Sequence, residues 1–229
     1  MPVCPPARGR PNDDNEEEGR TLRPARYRKV WGMKKSGVLL ASMALALVLV
    51  GGTALALETI GGPGVDRLVG TSTADHLDGK GGDDSIAGLG GADRYLVGGY
   101  GDDTVSGGAG EDTIVGFGFT KNWVNGDRGA DTLSGGGGPD YLQGGLGPDT
   151  LSGGDGEDFI SDGLGDHGSP EDSVDVIDGG RGDDRIFSMT YKPAQDGIGC
   201  GPGFDQVHAD RGDSVAEDCE RVRYRMSHR

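Results

Sequence analysis

The sequence predicts an all-β protein built as a solenoid, in which very short strands stack coil upon coil. Glycine supplies 47 of the 229 residues, in a pattern that recurs every nine residues. Each copy of that pattern ends in three residues with one large apolar side chain in the middle. Only 33% of the residues are apolar and 6% are aromatic, so the core of such a fold must be thin.

The repeat reads G-G-x-G-x-D-x-U-x, where U is a large apolar residue. Its glycines permit the positive φ angles of a tight turn, and x-U-x forms a short strand whose middle side chain points inward. Complete copies begin at Gly61, Gly98, Gly107, Gly135, Gly144, Gly153 and Gly179, and weaker copies at Gly70, Gly79, Gly88 and Gly126. Steps are nine residues long, except for one extra residue before Gly98 and another before Gly126. The predicted inward residues are Leu68, Leu77, Ile86, Tyr95, Val105, Ile114, Leu133, Leu142, Leu151, Ile160 and Ile186.

The segment before the repeats has a different composition. Residues 33–56 begin with Met33-Lys34-Lys35, continue as an apolar stretch and end on small residues, which is typical of a secretory signal peptide cleaved after Ala56. The alternative is an uncleaved membrane anchor over residues 37–57. Residues 1–32 are interpreted as a mis-called start or as a disordered extension, and the N-terminal sequence of the native protein decides between them.

Net charge excludes one class of function, and the cysteine count favours one cellular compartment. The formal net charge is −16 and becomes −20 once residues 1–56 are removed. Nucleic acid is not an expected partner, because phosphates would be repelled. Removing the leader also removes Cys4, which leaves Cys200 and Cys219 as a pair and suits an oxidising exterior. A bond between them would close roughly 20 residues and contribute on the order of 3 kcal/mol.

The repeat resembles the haemolysin-type (RTX) calcium-binding nonapeptide over about residues 60–187. That resemblance implies a parallel β-roll whose cofactor is Ca²⁺, held by turns of successive coils. Calcium takes six to eight oxygens, so one carboxylate and a few carbonyls of one turn cannot fill its shell. The alternative is that the aspartates only form turns. The implied metal ligands are Asp66, Asp75, Asp84, Asp93, Asp103, Asp112, Asp131, Asp140, Asp149, Asp158 and Asp184.

Three segments depart from the repeat. Counting in phase over residues 116–124 places Lys121 at the aspartate position, where its positive charge should repel an ion. Aromatic residues around it are interpreted as bulk that fills a degenerate coil, with a partner-binding patch as the alternative. Residues 162–173 are interpreted as an acidic loop, and residues 188–229 as a loop followed by a disulfide-closed cap.

The function expected from the repeat region, residues 57–187, is that of a secreted, non-catalytic calcium-binding protein. No separate stretch long enough for a catalytic domain is seen, and neither H-E-x-x-H nor G-x-S-x-G occurs. One alternative is a calcium-dependent surface or matrix adhesin with an unidentified partner. The other is the accessory roll of an exported hydrolase. No membrane association is expected after signal cleavage.

Overall fold

The computed structural model describes residues 56–163, 173–189 and 194–225. The predicted N-terminal extension and all but the last residue of the predicted signal peptide lie outside these ranges. Within them, no helix has the length and apolar character needed to cross a membrane.

The described residues form eighteen short strands, and the predicted all-β solenoid is confirmed. Most strands are three or six residues long, as a nine-residue repeat with a tight turn requires. The strands are β1 (Glu58–Ile60), β2 (Arg67–Val69), β3 (His76–Asp78), β4 (Ser85–Gly90), β5 (Tyr95–Val97), β6 (Thr104–Ala109), β7 (Thr113–Val115), β8 (Trp123–Arg128), β9 (Thr132–Gly137), β10 (Tyr141–Leu146), β11 (Thr150–Asp155), β12 (Phe159–Ser161), β13 (Val176–Arg181), β14 (Arg185–Ser188), β15 (Gly197–Gly199), β16 (Gln206–Ala209), β17 (Ser214–Val215) and β18 (Arg221–Tyr224).

Two nine-stranded parallel sheets face each other across the core. One contains the odd-numbered strands in chain order, and the other contains the even-numbered strands. Each strand therefore pairs with the strand two places along the chain, one full coil away, as Leu133 of β9 pairs with Leu151 of β11. The same pairing continues beyond the predicted repeats, because β15 to β18 extend both sheets.

The core consists of one inward side chain from each strand. These residues alternate with exposed neighbours, so β2 has the pattern exposed, buried, exposed. Ten of the eleven predicted inward residues are buried. The buried inward residues are Leu68, Leu77, Ile86, Leu96, Val105, Ile114, Val124, Leu133, Leu142, Leu151, Ile160, Ile177, Ile186, Ile198 and Val207.

The prediction that Tyr95 points inward is wrong. Tyr95 is 48% exposed, and Leu96 is fully buried in its place. In the pairing of β3 with β5, Tyr95 lies opposite His76 and Leu96 lies opposite Leu77. The extra residue of this copy is therefore Arg94, between the aspartate and the strand, because that position lets an aliphatic side chain enter the core while the phenol stays in water.

Aromatic side chains form a stack on the outer face of the even-numbered sheet. It starts with Trp123 over Tyr141, with ring centroids 4.3 Å apart, and continues through Phe159 and Phe187 to His208. Three of its four contacts follow from in-register pairing, which places equivalent side chains one strand spacing apart. The fourth is diagonal, because Phe159 pairs with Arg185 and Phe187 pairs with Ser161. Trp123 therefore packs against the next coil.

The predicted disulfide is confirmed. Cys200 and Cys219 are bonded, with their Cα atoms 5.3 Å apart. Cys200 follows β15 and Cys219 precedes β18, so the bond joins successive coils at the C-terminal end of the roll. Both residues belong to the buried core cluster.

Replacing Leu96 with alanine should lower the free energy of unfolding by about 2–3 kcal/mol, since it removes a buried aliphatic side chain from a core one residue deep. Tyr95→Ala is the matched control and should cost less than about 1 kcal/mol, because that ring is half exposed. Urea unfolding of the full chain in saturating calcium measures both. A larger loss for Tyr95→Ala would contradict the assignment of Arg94 as the extra residue.

Candidate metal centre

Acidic side chains form two ladders along the solenoid, each in the turns that lead into one of the sheets. In each ladder a carboxylate Oδ1 accepts a hydrogen bond from the backbone N–H of the ladder residue one coil earlier. The bond from Asp131 N to Asp149 Oδ1 is 2.9 Å and that from Asp140 N to Asp158 Oδ1 is 2.8 Å. The ladder before the even-numbered strands contains Asp66, Asp84, Asp103, Asn122, Asp140, Asp158, Asp184, Asp205 and Glu220. The ladder before the odd-numbered strands contains Asp75, Asp93, Asp112, Asp131, Asp149, Asp175, Asp196 and Asp213.

The second carboxylate oxygen of most ladder residues has no donor. These Oδ2 atoms are buried and accept no hydrogen bond, which is costly for a charged group. At Asp140, Oδ2 and the carbonyl oxygen of Gly153 lie 2.5 Å and 2.7 Å from where a Cβ on Gly135 would stand, so the first glycine of the repeat keeps this cradle open. The ladder oxygens without a partner belong to Asp84, Asp93, Asp103, Asp112, Asp131, Asp140, Asp149, Asp158, Asp184 and Asp205.

A hard cation fits this donor set. The cradles offer carboxylate and carbonyl oxygens, which are the ligands calcium prefers. Within the described residues, the ladders contain no histidine, and the two cysteines are joined to each other, so a zinc-type donor set is not found there. The unpartnered oxygens therefore agree with calcium better than with a purely turn-forming role.

The ladders place many carboxyl groups of like charge close together in buried positions, which raises their pKa values. Burial, together with the charges of ladder neighbours, raises the pKa of Asp131, Asp149 and Asp184 to about 7, although the hydrogen bond from the preceding coil lowers it. Burial likewise raises the pKa of Asp93 and Asp103 to about 6. A bound cation or a proton would relieve this repulsion.

All eleven predicted ligand residues lie in the two ladders, and their role as ligands stays a prediction. The first residue of each ladder differs from the others. Asp66 Oδ2 accepts from Gly62 N–H, and Asp75 Oδ2 accepts from Thr71, so both carboxylates already have protein donors. The ladders also contain acidic residues that the repeat pattern does not name as ligands: Asp175, Asp196, Asp205, Asp213 and Glu220. An aspartate two residues before a lone apolar residue is the signal that finds Asp175 and Asp205.

Lys121 does not occupy the aspartate position, so that prediction is wrong. Asn122 lies in the ladder, because its Oδ1 accepts from Asp103 N–H at 3.2 Å. The extra residue of this copy lies within the turn before Asn122, and Lys121 is placed in the turn so that its Nζ lies 5.0 Å from the ring centroid of Trp123. This arrangement keeps the Lys121 ammonium group out of the ladder and buries the neutral Asn122 amide there instead.

The amide nitrogen of Asn122 lies where most other ladder residues have an oxygen without a donor. Since its Oδ1 must accept from a backbone N–H, its Nδ2 occupies the position that Oδ2 holds elsewhere. Nδ2 donates to the carbonyl oxygens of Phe117 and Gly135, at 3.1 Å and 3.2 Å. The carbonyls of this turn therefore have a protein donor and need no cation.

Comparison with known proteins agrees with this geometry. The family model of the RTX calcium-binding nonapeptide repeat (4 copies) matches residues 60–95, 95–116, 118–151, 134–166 and 172–188, which together are more than half of the chain. The chain belongs to this RTX repeat family. It is a calcium-binding repeat protein with the family's parallel β-roll. None of the curated proteins compared matches the chain.

Membership in the RTX family gives the ladders their chemistry. RTX repeats bind calcium, and in this chain the buried Oδ2 atoms are the side-chain oxygens suited to it. Calcium would offset the repulsion between neighbouring carboxylates. The aspartate Oδ1 atoms would continue to accept the hydrogen bonds that link successive coils.

Asn122→Asp should add one calcium ion to the RTX roll. The substitution places a buried, unpartnered carboxylate oxygen against two carbonyls that now accept from the amide. The number of calcium ions bound per chain at saturation, measured directly, should rise by one. Gln143→Glu adds the same charge at an exposed position of β10 and should leave the number unchanged. An unchanged number in Asn122→Asp would contradict the role given to the amide.

Without calcium, the roll should become less stable as pH rises from about 4 to 7. The pKa values of the buried ladder aspartates, about 6 to 7 when folded, lie above the ordinary value of 3.8, so the folded chain binds protons that the unfolded chain has released. Circular dichroism of the chain in chelator at pH 5 and pH 8 measures this dependence as the fraction of β structure that forms without calcium. With calcium present, the midpoint for calcium should be higher at pH 5, because protons compete for the same oxygens. Greater calcium-free stability at pH 8 would contradict both expectations.

Proposed function

We propose that this chain is a secreted, non-catalytic RTX protein whose roll folds when it binds extracellular calcium. The observation that carries the proposal is the row of buried carboxylate oxygens without donors in both ladders. Leaving these charges buried and unpaired opposes folding. An ion held between coils would offset that cost, so the free energy of binding becomes free energy of folding.

The size of the core supports coupling between calcium and folding. One buried side chain per strand offsets little of the conformational entropy lost on ordering the chain. The chain after residue 56 carries a net charge of −20, which also opposes compaction. Each calcium ion would neutralise two of these charges and link neighbouring coils.

Secretion agrees with the expected affinity and with the disulfide. RTX proteins are generally extracellular, and extracellular calcium modules commonly bind at about 10⁻⁴–10⁻³ M. The cytosol contains far less calcium, so the chain would stay unfolded until export. The Cys200–Cys219 bond suits an oxidising exterior, and cleavage after Ala56 remains the proposed route of release.

A non-catalytic role is proposed because the described residues from 57 onward form coils of the roll. Most of their buried titratable groups are the ladder carboxylates, which are arranged in rows along the fold and do not converge with a nucleophile and a base at one point. Calcium binding and folding account for this arrangement without a reaction.

Far-UV circular dichroism of the full chain during calcium titration tests the proposal. The expected result is a cooperative rise of β signal with calcium and none with magnesium, which is smaller and demands near-octahedral geometry. A β spectrum already complete in chelator, and unchanged by calcium, would overturn the proposal.

Position along the ladder should determine how much each aspartate matters. Asp149→Ala removes a buried, unpartnered oxygen from the middle of the roll and should raise the calcium midpoint several-fold. Asp66→Ala should have a smaller effect, because Asp66 accepts from Gly62 N–H and has a neighbouring coil on one side only. The exposed Asp155 provides a control of equal charge, and Asp155→Ala should leave the midpoint almost unchanged.

A further inference from the structure

One turn of the odd-numbered ladder carries an acid, Asp162, where the five turns before it carry the first glycine of the repeat. Along that side, the carbonyl oxygen of each first residue approaches the cradle of the coil before it. Asp162 continues this series after Gly144, because its carbonyl oxygen lies 2.6 Å from where a Cβ on Gly144 would stand. Its side chain therefore starts from the position that elsewhere faces the open cradle.

Asp162 brings a third carboxylate to two ladder residues. Carboxylate oxygens of Asp162, Asp175 and Asp196 lie within 4.8 Å of one another, and all three residues are buried. Asp162 is 2% exposed, yet its Oδ2 accepts no hydrogen bond. Asp196 accepts one hydrogen bond at each oxygen, from the buried Ser188 hydroxyl to Oδ2 at 2.8 Å and from Asp175 N–H to Oδ1 at 2.9 Å, which leaves one lone pair of each oxygen for an ion. From the sequence, residues 162–173 are interpreted as an acidic loop, and the structure buries the first residue of that range, Asp162.

The spacing of the ladder residues is irregular at this point. Asp149 and Asp175 are successive ladder residues 26 positions apart, whereas Asp131 and Asp149 are 18 apart. A Cβ at an ordinary first position would crowd the ladder carboxylate, as at Gly144, where Asp149 Oδ2 lies 2.5 Å from the Cβ position. The insertion thus accompanies a change from glycine to an acid that the repeat does not accept.

We propose that Asp162, Asp175 and Asp196 form a separate calcium site with three side-chain carboxylates, which binds its ion more tightly than the repeat turns. This inference rests on the proposed calcium-dependent function, since it uses the same ion. It differs from the repeat sites in its ligands, because Asp162 contributes a side chain where the repeat contributes none.

Charge and burial both favour tighter binding here. Calcium affinity rises with the number of charged ligands and with the rigidity of the site, and buried charges are little screened by water or salt. The site should therefore fill first and organise the coils on either side of residues 164–172.

Flow dialysis of the full chain with radioactive calcium tests the site, alongside circular dichroism of the same samples. One ion per chain should bind at a calcium concentration at least tenfold below the midpoint of the main β transition. Asp162→Gly restores the repeat residue, adds no bulk and should remove that ion. Asp155→Gly makes the same substitution at an exposed position at the end of β11 and should retain it.

The outcomes separate this inference from the proposed function. If the β transition is cooperative in calcium but no ion binds ahead of it, or if Asp162→Gly retains the early ion, the Asp162 site is refuted and the function stands. If calcium neither binds nor folds the chain, the proposed function fails as well. Should Asp162→Gly not fold at saturating calcium, the isosteric Asp162→Asn decides by the same loss or retention of the early ion.

Discussion

The roll depends on one repeated hydrogen bond, from the backbone N–H of a ladder residue to the carboxylate one coil later. That bond sets the register of every coil and buries the acid at the same time. Because it uses only one carboxylate oxygen, it leaves the other facing the backbone carbonyls of the next turn. One oxygen of each carboxylate therefore has the structural role, and the other has the proposed metal-binding role.

The glycine content follows from the same constraint. At the first position of the repeat, any Cβ would meet the ladder carboxylate and the carbonyl of the following coil, as at Gly135. Where another residue stands at that position, the local chemistry changes: Asp162 adds a charge, Ser188 adds a donor, and Cys200 carries a disulfide. These three substitutions all lie toward the C-terminal end, where the regular repeat gives way to closing coils.

The repeat was sufficient to predict the parallel roll, most inward residues and the ladder positions, because period and residue type are set by the same turn. It could not locate the two extra residues. Counting places each extra residue between two copies, whereas in the structure each one lies within a copy, before its strand. As a result, Leu96 is the inward residue in place of Tyr95, and Asn122 is the ladder residue in place of Lys121. Asp162 escaped the pattern for a different reason: nothing in a local spacing shows that an acid after a strand will be buried beside two others.

The disulfide gives the roll a direction of disassembly. In an array whose coils contact only their neighbours, loss of structure starts at an end and moves inward. The bond between Cys200 and Cys219 fastens the last coils to each other, so unravelling from that end must begin with a covalently closed loop. The opposite end has no such staple among the described residues. We therefore expect the roll to unfold progressively from its N-terminal coil toward the disulfide-bonded coils.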